Sequence, residues 1–304
     1  MGTSNGVPVV NIAPPSAGGV SNNKFTQLNV GPSGVVLNNS GGASQTQLAG
    51  QVAGNPMLGN QRATTILNWR HRAQPSQLMG TMEVAGNRAN IIVANPAGIT
   101  CNGCGFLNAD RATLTTGKPM VGPDGGIGFD VAGGKLREGA GSNGANLSRV
   151  DLMARTLEIN AGIWADQLHV TTGAAKVDYA TGAVSAGQGE GPAPTVALDT
   201  AALGGMYANS IRLVGTEAGV GVNVGRQSGR LDGQSGSERR ATSGSRPAVR
   251  CRRRVMCVRL PRCGGRRPSA GRWRGCPDGG RDAAVTGAVS AGQALTVDAS
   301  LMCR

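Results

Sequence analysis

What limits this chain most is how often its apolar residues are interrupted. Val7–Ile12, Val35–Leu37, Met82–Ala85, Ala89–Ala94, Ile127–Val131, Ala174–Val177 and Ile211–Val214 are short, largely apolar runs, each closed by a turn signal. The signals include Asn38-Asn39-Ser40-Gly41-Gly42, Asn55-Pro56, Asn95-Pro96-Ala97-Gly98, Asn102-Gly103, Pro123-Asp124-Gly125-Gly126, Thr172-Gly173 and Thr181-Gly182. Gly and Asn accept positive φ, and Pro fixes φ while removing a donor, so each signal stops regular structure for a local reason. Runs this short, rich in β-branched residues, read as strands. A helical chain would carry far more Lys and Glu on its solvent faces than the 4 Lys and 6 Glu that 304 residues hold here. No run approaches the ~18 apolar residues of a spanning helix.

Three features separate a solenoid from a sandwich or barrel. Strong two-residue hairpin signals are few. The apolar residues are small (Val, Ala, Ile, Leu), as a narrow stacked core requires. Asn and Thr recur at turns, where they can ladder from coil to coil. In a solenoid each coil buries its face only against its neighbours, so the ends need caps. One segment, Asp151 to Leu157, reads as a short helix with Asp151 as its cap.

Charge divides the chain. The net charge is +13, but residues 1–225 are close to neutral and nearly all the excess lies in the Arg-rich last quarter, so it says little about the rest. Residues 226–281 contain no Lys, Ile, Phe, Tyr or Asn, and runs such as Arg250-Cys251-Arg252-Arg253-Arg254 interrupt the earlier style. This stretch reads as disordered or as a frame-shifted translation. The earlier style then returns, because Gly287 to Gln293 repeats Gly182 to Gln188 letter for letter. The expected organisation is therefore a β domain over 1–225, an anomalous segment over 226–281, and a fragment of a solenoid repeat over 282–304. The N-terminus has neither a charged nor an apolar leader region, so no signal peptide is expected.

Generic catalytic motifs carry little. Gly139-Ala-Gly141-Ser-Asn-Gly144 matches the dinucleotide glycine pattern but sits among turns and short strands instead of between a strand and a helix. Gly2-Thr-Ser4-Asn-Gly6 matches a nucleophile elbow with no strand before it. His71 and His169 stand alone, and acids are scattered singly, without the close pair that a glycoside-cleaving enzyme needs. No catalytic residue, metal or cofactor is expected. Cys101-Asn-Gly-Cys104 leaves three readings open: a small disulfide across a turn, a redox pair, or half of a zinc site. The Arg-rich tail admits a nucleic-acid arm, but no nucleic-acid partner is expected, since genuine arms often carry Lys and lack scattered Cys and Trp.

Several stretches, in one collinear order, resemble a single family. Asn5-Gly-Val-Pro-Val-Val-Asn-Ile-Ala13, Gly19-Val-Ser-Asn-Asn23, Phe25-Thr-Gln-Leu-Asn-Val30 and Leu37-Asn-Asn-Ser40 resemble the opening of two-partner secretion domains of filamentous-haemagglutinin-like and contact-dependent inhibition exoproteins. Asn55-Pro-Met-Leu58 and Asn95-Pro-Ala-Gly-Ile99 resemble the two Asn-Pro motifs of that family, and Cys101 to Asn108, Arg111 to Gly117 and Asp199 to Gly221 continue the likeness. The resemblance implies an all-β, right-handed parallel β-helix with an N-terminal β cap, and the composition of the C-terminal quarter reads as largely irregular. It implies a secretion-targeting domain of a large adhesin or haemagglutinin, recognised by the periplasmic domains of an outer-membrane transporter. Such a protein is secreted or held at the outer-membrane surface after passing the periplasm, and meets host or bacterial cells through distal regions. The residues implied as turn and transporter-recognition elements are Asn55, Pro56, Leu58, Asn95, Pro96, Gly98 and Ile99. Pro pushes each Asn toward an extended conformation, where its carboxamide can bond the backbone two residues on. Leu58 and Ile99 return the chain to the core. A frame-shifted remnant of such a protein and a polysaccharide-active β-helix enzyme are the alternative readings. Trp69, in Asn68-Trp-Arg-His71, departs from the family pattern and has to be exposed or repack a coil.

Overall fold

All regular elements in the structure, a computed structural model, are strands; it describes residues 2–70, 74–200, 205–217, 221–224, 284–285 and 289–298. Ser76–Leu78, Thr81–Gly86 and Asn90–Ala94 form one circuit, and Ile99–Cys101, Gly105–Leu107 and Arg111–Thr115 repeat it one level on. Each strand pairs in parallel with its counterpart in the neighbouring coil. The result is a parallel β-helix with three faces. The first face is a seven-stranded parallel sheet running from Ser76–Leu78 through Lys135–Glu138 to Gly221–Val224 and Ala284–Val285. The other two faces belong to one 13-stranded sheet. Ser142–Ala154, Gly162–Thr172, Gly205–Gly215 and Val289–Asp298 run across both of them, with a register shift between Gly144 and Arg149 at the corner.

The core is made of in-register stacks. Ile66, Ile91, Ala112, Val150, Leu168 and Ile211 lie one above another and are all buried. Beside them runs a stack of Asn23, Asn68, Val93, Leu114, Leu152, Val170 and Leu213, polar at its N-terminal end. Small, uniform side chains suit this arrangement, since each must fit the same lateral space in every coil.

Two further sheets cover the outside. Lys118–Val121, Ile127–Val131, Ala175–Asp178 and Val184–Ala186 form a four-stranded antiparallel sheet. It buries a second cluster containing Leu67, Ile92, Ala94, Phe129, Val131, Met153, Val177 and Tyr179. Strand Asn90–Ala94 is thus covered on both sides, which is why it reads as a continuous apolar run instead of an alternating one. A hairpin of Ser44–Thr46 and Gly50–Val52 covers a third cluster of Val7, Val9, Val36, Ala49, Val52 and Ala85. Its connection is anchored by Glu83, whose carboxylate accepts from the Gln47 and Leu48 amides at 2.7 and 2.8 Å. Gly2–Ser4 pairs antiparallel with Val7–Asn11 and supplies the N-terminal cap.

Two sequence expectations need correction. Asp151 to Leu157 is not helical: it belongs to strands Ser142–Ala154 and Thr156–Ile159. Asp151 is fully buried and is claimed by Arg111, Arg149 and Thr113, so it caps nothing. Gly2 to Gly6 is a hairpin whose Asn5 and Gly6 have φ of 50° and 76°, the sign pattern of a two-residue primed turn. Antiparallel pairing is also more extensive than few hairpin signals suggested, because sequence-adjacent strands joined by longer turns, Lys118–Val121 with Ile127–Val131 and Ala175–Asp178 with Val184–Ala186, pair as hairpins. The repeated heptapeptide has two settings, Val184–Ala186 on the edge of the antiparallel sheet and Val289–Asp298 beside Gly205–Gly215 in the β-helix. The anomalous segment 226–281 lies outside the described residues, as does His71.

Candidate functional site

The two Asn-Pro turns share one construction. Asn55 and Asn95 are both fully buried. The Asn55 Nδ2 donates to the carbonyls of Ile12 (2.9 Å) and Asn38 (3.1 Å), and its Oδ1 accepts from the Met57 amide at 3.0 Å. The Asn95 Nδ2 donates to the Gln74 carbonyl and the Ser76 hydroxyl, both at 2.9 Å, and its Oδ1 accepts from the Ala97 amide at 3.0 Å. The Asn backbone closes each turn, with its carbonyl accepting from the Leu58 amide at 3.2 Å or the Gly98 amide at 3.0 Å. Leu58 and Ile99 then enter the core. Gly98 has φ of 125°, and a Cβ there would lie 2.9 Å from the Lys135 carbonyl, so the second turn requires glycine. Pro56 and Pro96 face outward. Next to Pro56, Met57 is 50% exposed.

Immediately after the second turn, Cys101 and Cys104 form a disulfide across Asn102-Gly103, with Cα atoms 5.4 Å apart. Gly103 has φ of 83°. Both cysteines are buried, at 0% and 2% exposure. One coil away, Glu138 pairs in register with Cys101, and the ligand atoms of Cys101, Cys104 and Glu138 all lie within 4.8 Å of one another. Neither carboxylate oxygen of Glu138 has a hydrogen-bond partner. Burial pushes its pKa up to about 8, with the nearby Ser142 hydroxyl opposing. Glu138 is a residue the sequence reading missed. A signal was available: Lys135–Glu138 alternates exposed and buried, placing Glu138 on the same inward side as Leu136.

A second polar cluster also escaped notice, because its members lie far apart in sequence. Asp151 accepts from Arg111 Nε at 2.5 Å, Arg149 Nε at 2.6 Å and Thr113 Oγ1 at 2.9 Å. The Arg111 guanidinium lies over the Tyr179 ring, 3.7 Å from its centroid, and also donates to the Tyr179 carbonyl. This cluster fastens the antiparallel sheet to the β-helix. His169 stacks in register on Asp151. Burial and the neighbouring arginines, Arg149 first, bring its pKa down to about 4 despite Asp151. Of the other sequence candidates, Gly139, Gly141 and Gly144 lie at the start of strand Ser142–Ala154 with no helix after them. Trp69 is half-buried on the outside, where its indole donates to Asn22 Oδ1 at 2.8 Å and Lys24 sits 4.9 Å from its ring.

Fold and turns together define a capped parallel β-helix with two Asn-Pro corners of like geometry. The family model of the TPS secretion domain matches residues 2–241, and the chain belongs to that family. It is similar to the "Toxin CdiA" of Yersinia pestis, with 49% identity over 225 residues, 73% of this chain and 7% of that protein. It is similar also to the "16S rRNA endonuclease CdiA" of Enterobacter cloacae subsp. cloacae, with 52% identity over 231 residues, 75% of this chain and 7% of that protein. A crystal structure of the filamentous hemagglutinin secretion domain superposes with a TM-score of 0.70 at 38% identity, covering 74% of this chain and 79% of the other. The chain is thus a secretion domain of the kind found in CdiA and filamentous haemagglutinin exoproteins, and such domains work with a partner transporter. It spans 7% of the length of the CdiA relatives it matches.

Proposed function

We propose that this domain is the N-terminal secretion-targeting segment of a large exported adhesin, read in the periplasm by its outer-membrane transporter at the outward side of the Asn-Pro turns. The observation that carries this is the division of labour within each turn. Asn55 and Asn95 spend their polar atoms inside the fold. What a partner meets is Pro56-Met57 and Pro96-Ala97, and half-exposed Met57 offers a soft apolar contact. Strand Val184–Ala186, at one edge of the antiparallel sheet, adds a place where an extended segment of the transporter pairs by strand addition. The opposite edge, Lys118–Val121, is blunted by Pro119.

The role is non-enzymatic. Two of the buried acids have structural duties: Glu83 holds the hairpin and Asp151 holds Arg111 and Arg149. The functional unit spans residues 1–225, with the Arg-rich 226–281 outside it and 282–304 as a repeat fragment. Limited proteolysis with mass spectrometry checks that boundary. The recognition reading is tested by titrating the periplasmic domains of the cognate transporter into the purified chain. Met57→Asp is expected to weaken binding at least about tenfold with an unchanged melting temperature. Unchanged affinity would overturn recognition at the turn.

A further inference from the structure

We infer that, when its disulfide is reduced, this domain binds one zinc ion through Cys101, Cys104 and Glu138. The sequence offers only two of these ligands, and the register of the β-helix supplies the third. Glu138 lies beside Cys101 in the next coil, and the three ligand atoms already lie within 4.8 Å of one another. Zinc accepts two thiolates from a C-x-x-C turn and one carboxylate, leaving a fourth tetrahedral position for water. The turn is built for this: Gly103 takes φ of 83°, so both sulfurs are presented to the same point.

A second, independent observation points to a ligand. Glu138 is fully buried, between Cys101 and Ile159 in its stack, and neither carboxylate oxygen makes a hydrogen bond, although the Ser142 hydroxyl lies near enough to favour the ionised form. A buried carboxyl in apolar surroundings is costly unless something is bound to it. The redox-pair reading of the same cysteines is weaker, because Cys101 ends a strand, with no helix N-terminus beside it among the described residues to favour a thiolate.

The chemistry balances. An external reductant of the phosphine type delivers two electrons to the disulfide, and the sulfurs take up two protons. Zinc then takes the place of the thiol protons, which leave to solvent.

The test uses the full 304-residue chain with Cys251, Cys257, Cys263, Cys276 and Cys303 replaced by Ser, so that only the paired cysteines remain. It is reduced with a phosphine, shown by circular dichroism to be folded, and titrated with cobalt(II) and then zinc. One equivalent of cobalt is expected, with a thiolate-to-metal charge-transfer band and tetrahedral visible bands, displaced by zinc. Changing an outer-shell residue commonly costs 10–100-fold in metal affinity, so Glu138→Gln, which removes a ligand, is expected to cost at least about 100-fold. Cys104→Ser should lose most of the charge-transfer band. Absence of the band on the reduced chain overturns the inference. So does a band whose affinity is the same in Glu138→Gln, the result expected if the thiols bind metal only in an unfolded chain.

Discussion

Asn55→Ala separates the structural duty of the first Asn-Pro turn from its recognition duty. The substitution removes two donations, to the Ile12 and Asn38 carbonyls, and one acceptance, from the Met57 amide. Met57 is half-exposed, so water replaces its partner at little cost. The two carbonyls lie inside the coil, with Ile12 and Asn38 at 0% and 1% exposure. Each buried acceptor left unpaired costs about 1–3 kcal/mol, giving a central expectation of about 4 kcal/mol. For a domain of this size that corresponds to a fall in Tm of about 8–16 °C. Urea and thermal unfolding followed by circular dichroism measure it. Asn55→Asp keeps the acceptor and loses both donors, placing a carboxylate against two carbonyl oxygens. It is expected to be at least as damaging at pH 7 and to recover partly below about pH 4, where a protonated carboxyl can donate again. Pro56→Ala touches no interior group and should cost no more than about 1 kcal/mol. The reasoning fails if Asn55→Ala unfolds within about 1 kcal/mol of the parent chain, well below the cost of two orphaned carbonyls.

Three further outcomes follow from the same structure. Gly98→Ala places a Cβ 2.9 Å from the Lys135 carbonyl at φ of 125° and should cost about 2–3 kcal/mol in urea unfolding, whereas Gly42→Ala, with nothing within 4 Å, should stay within about 0.5 kcal/mol. Arg111→Met strips Asp151 of one guanidinium and Tyr179 of its cation, so amide exchange in Ala175–Asp178 should accelerate more than in Ile99–Cys101. His169 is held neutral in the fold with its pKa near 4, against 6.5 when unfolded. Protons therefore bind the unfolded chain more readily, and stability should fall as pH drops from about 6.5 to about 4, by about 1–3 kcal/mol, a slope that His169→Gln removes.

The strands were legible because their boundaries are written locally. Every run quoted from the sequence lies within or overlaps a strand, from Val7–Asn11 to Gly205–Gly215, since Gly, Asn and Pro act on their own residue's backbone. The Asn-Pro turns were legible for the same reason: an Asx bond to the amide two residues on needs no distant partner. What the pattern could not carry was the identity of neighbours in the next coil. Asp151 looks like a helix cap until Arg111, 40 residues earlier in sequence, is set beside it. Phe129 and Tyr179 look like isolated aromatics until the antiparallel sheet folds both over the outer wall, with their rings 6.2 Å apart.

Glu138 shows where local and non-local information meet. Period-two alternation places it inward with Leu136, so its burial is a local inference. Only the parallel register of Ile99–Cys101 against Lys135–Glu138 sets it opposite the disulfide. In a β-helix each inward position is repeated in the coil above and the coil below, so a polar side chain in an apolar stack disrupts three coils unless it is matched. Asn23 and Asn68 stack in register and donate their amide nitrogens to backbone carbonyls of the next coil, Leu67 at 3.5 Å and Ile92 at 3.4 Å. Glu138 has Cys101 on one side and Ile159 on the other, with the Ser142 hydroxyl near, so its neighbour in register is the cysteine pair. The acid and the cysteine pair are therefore one feature of this fold, and substituting either alone should change the behaviour of the other.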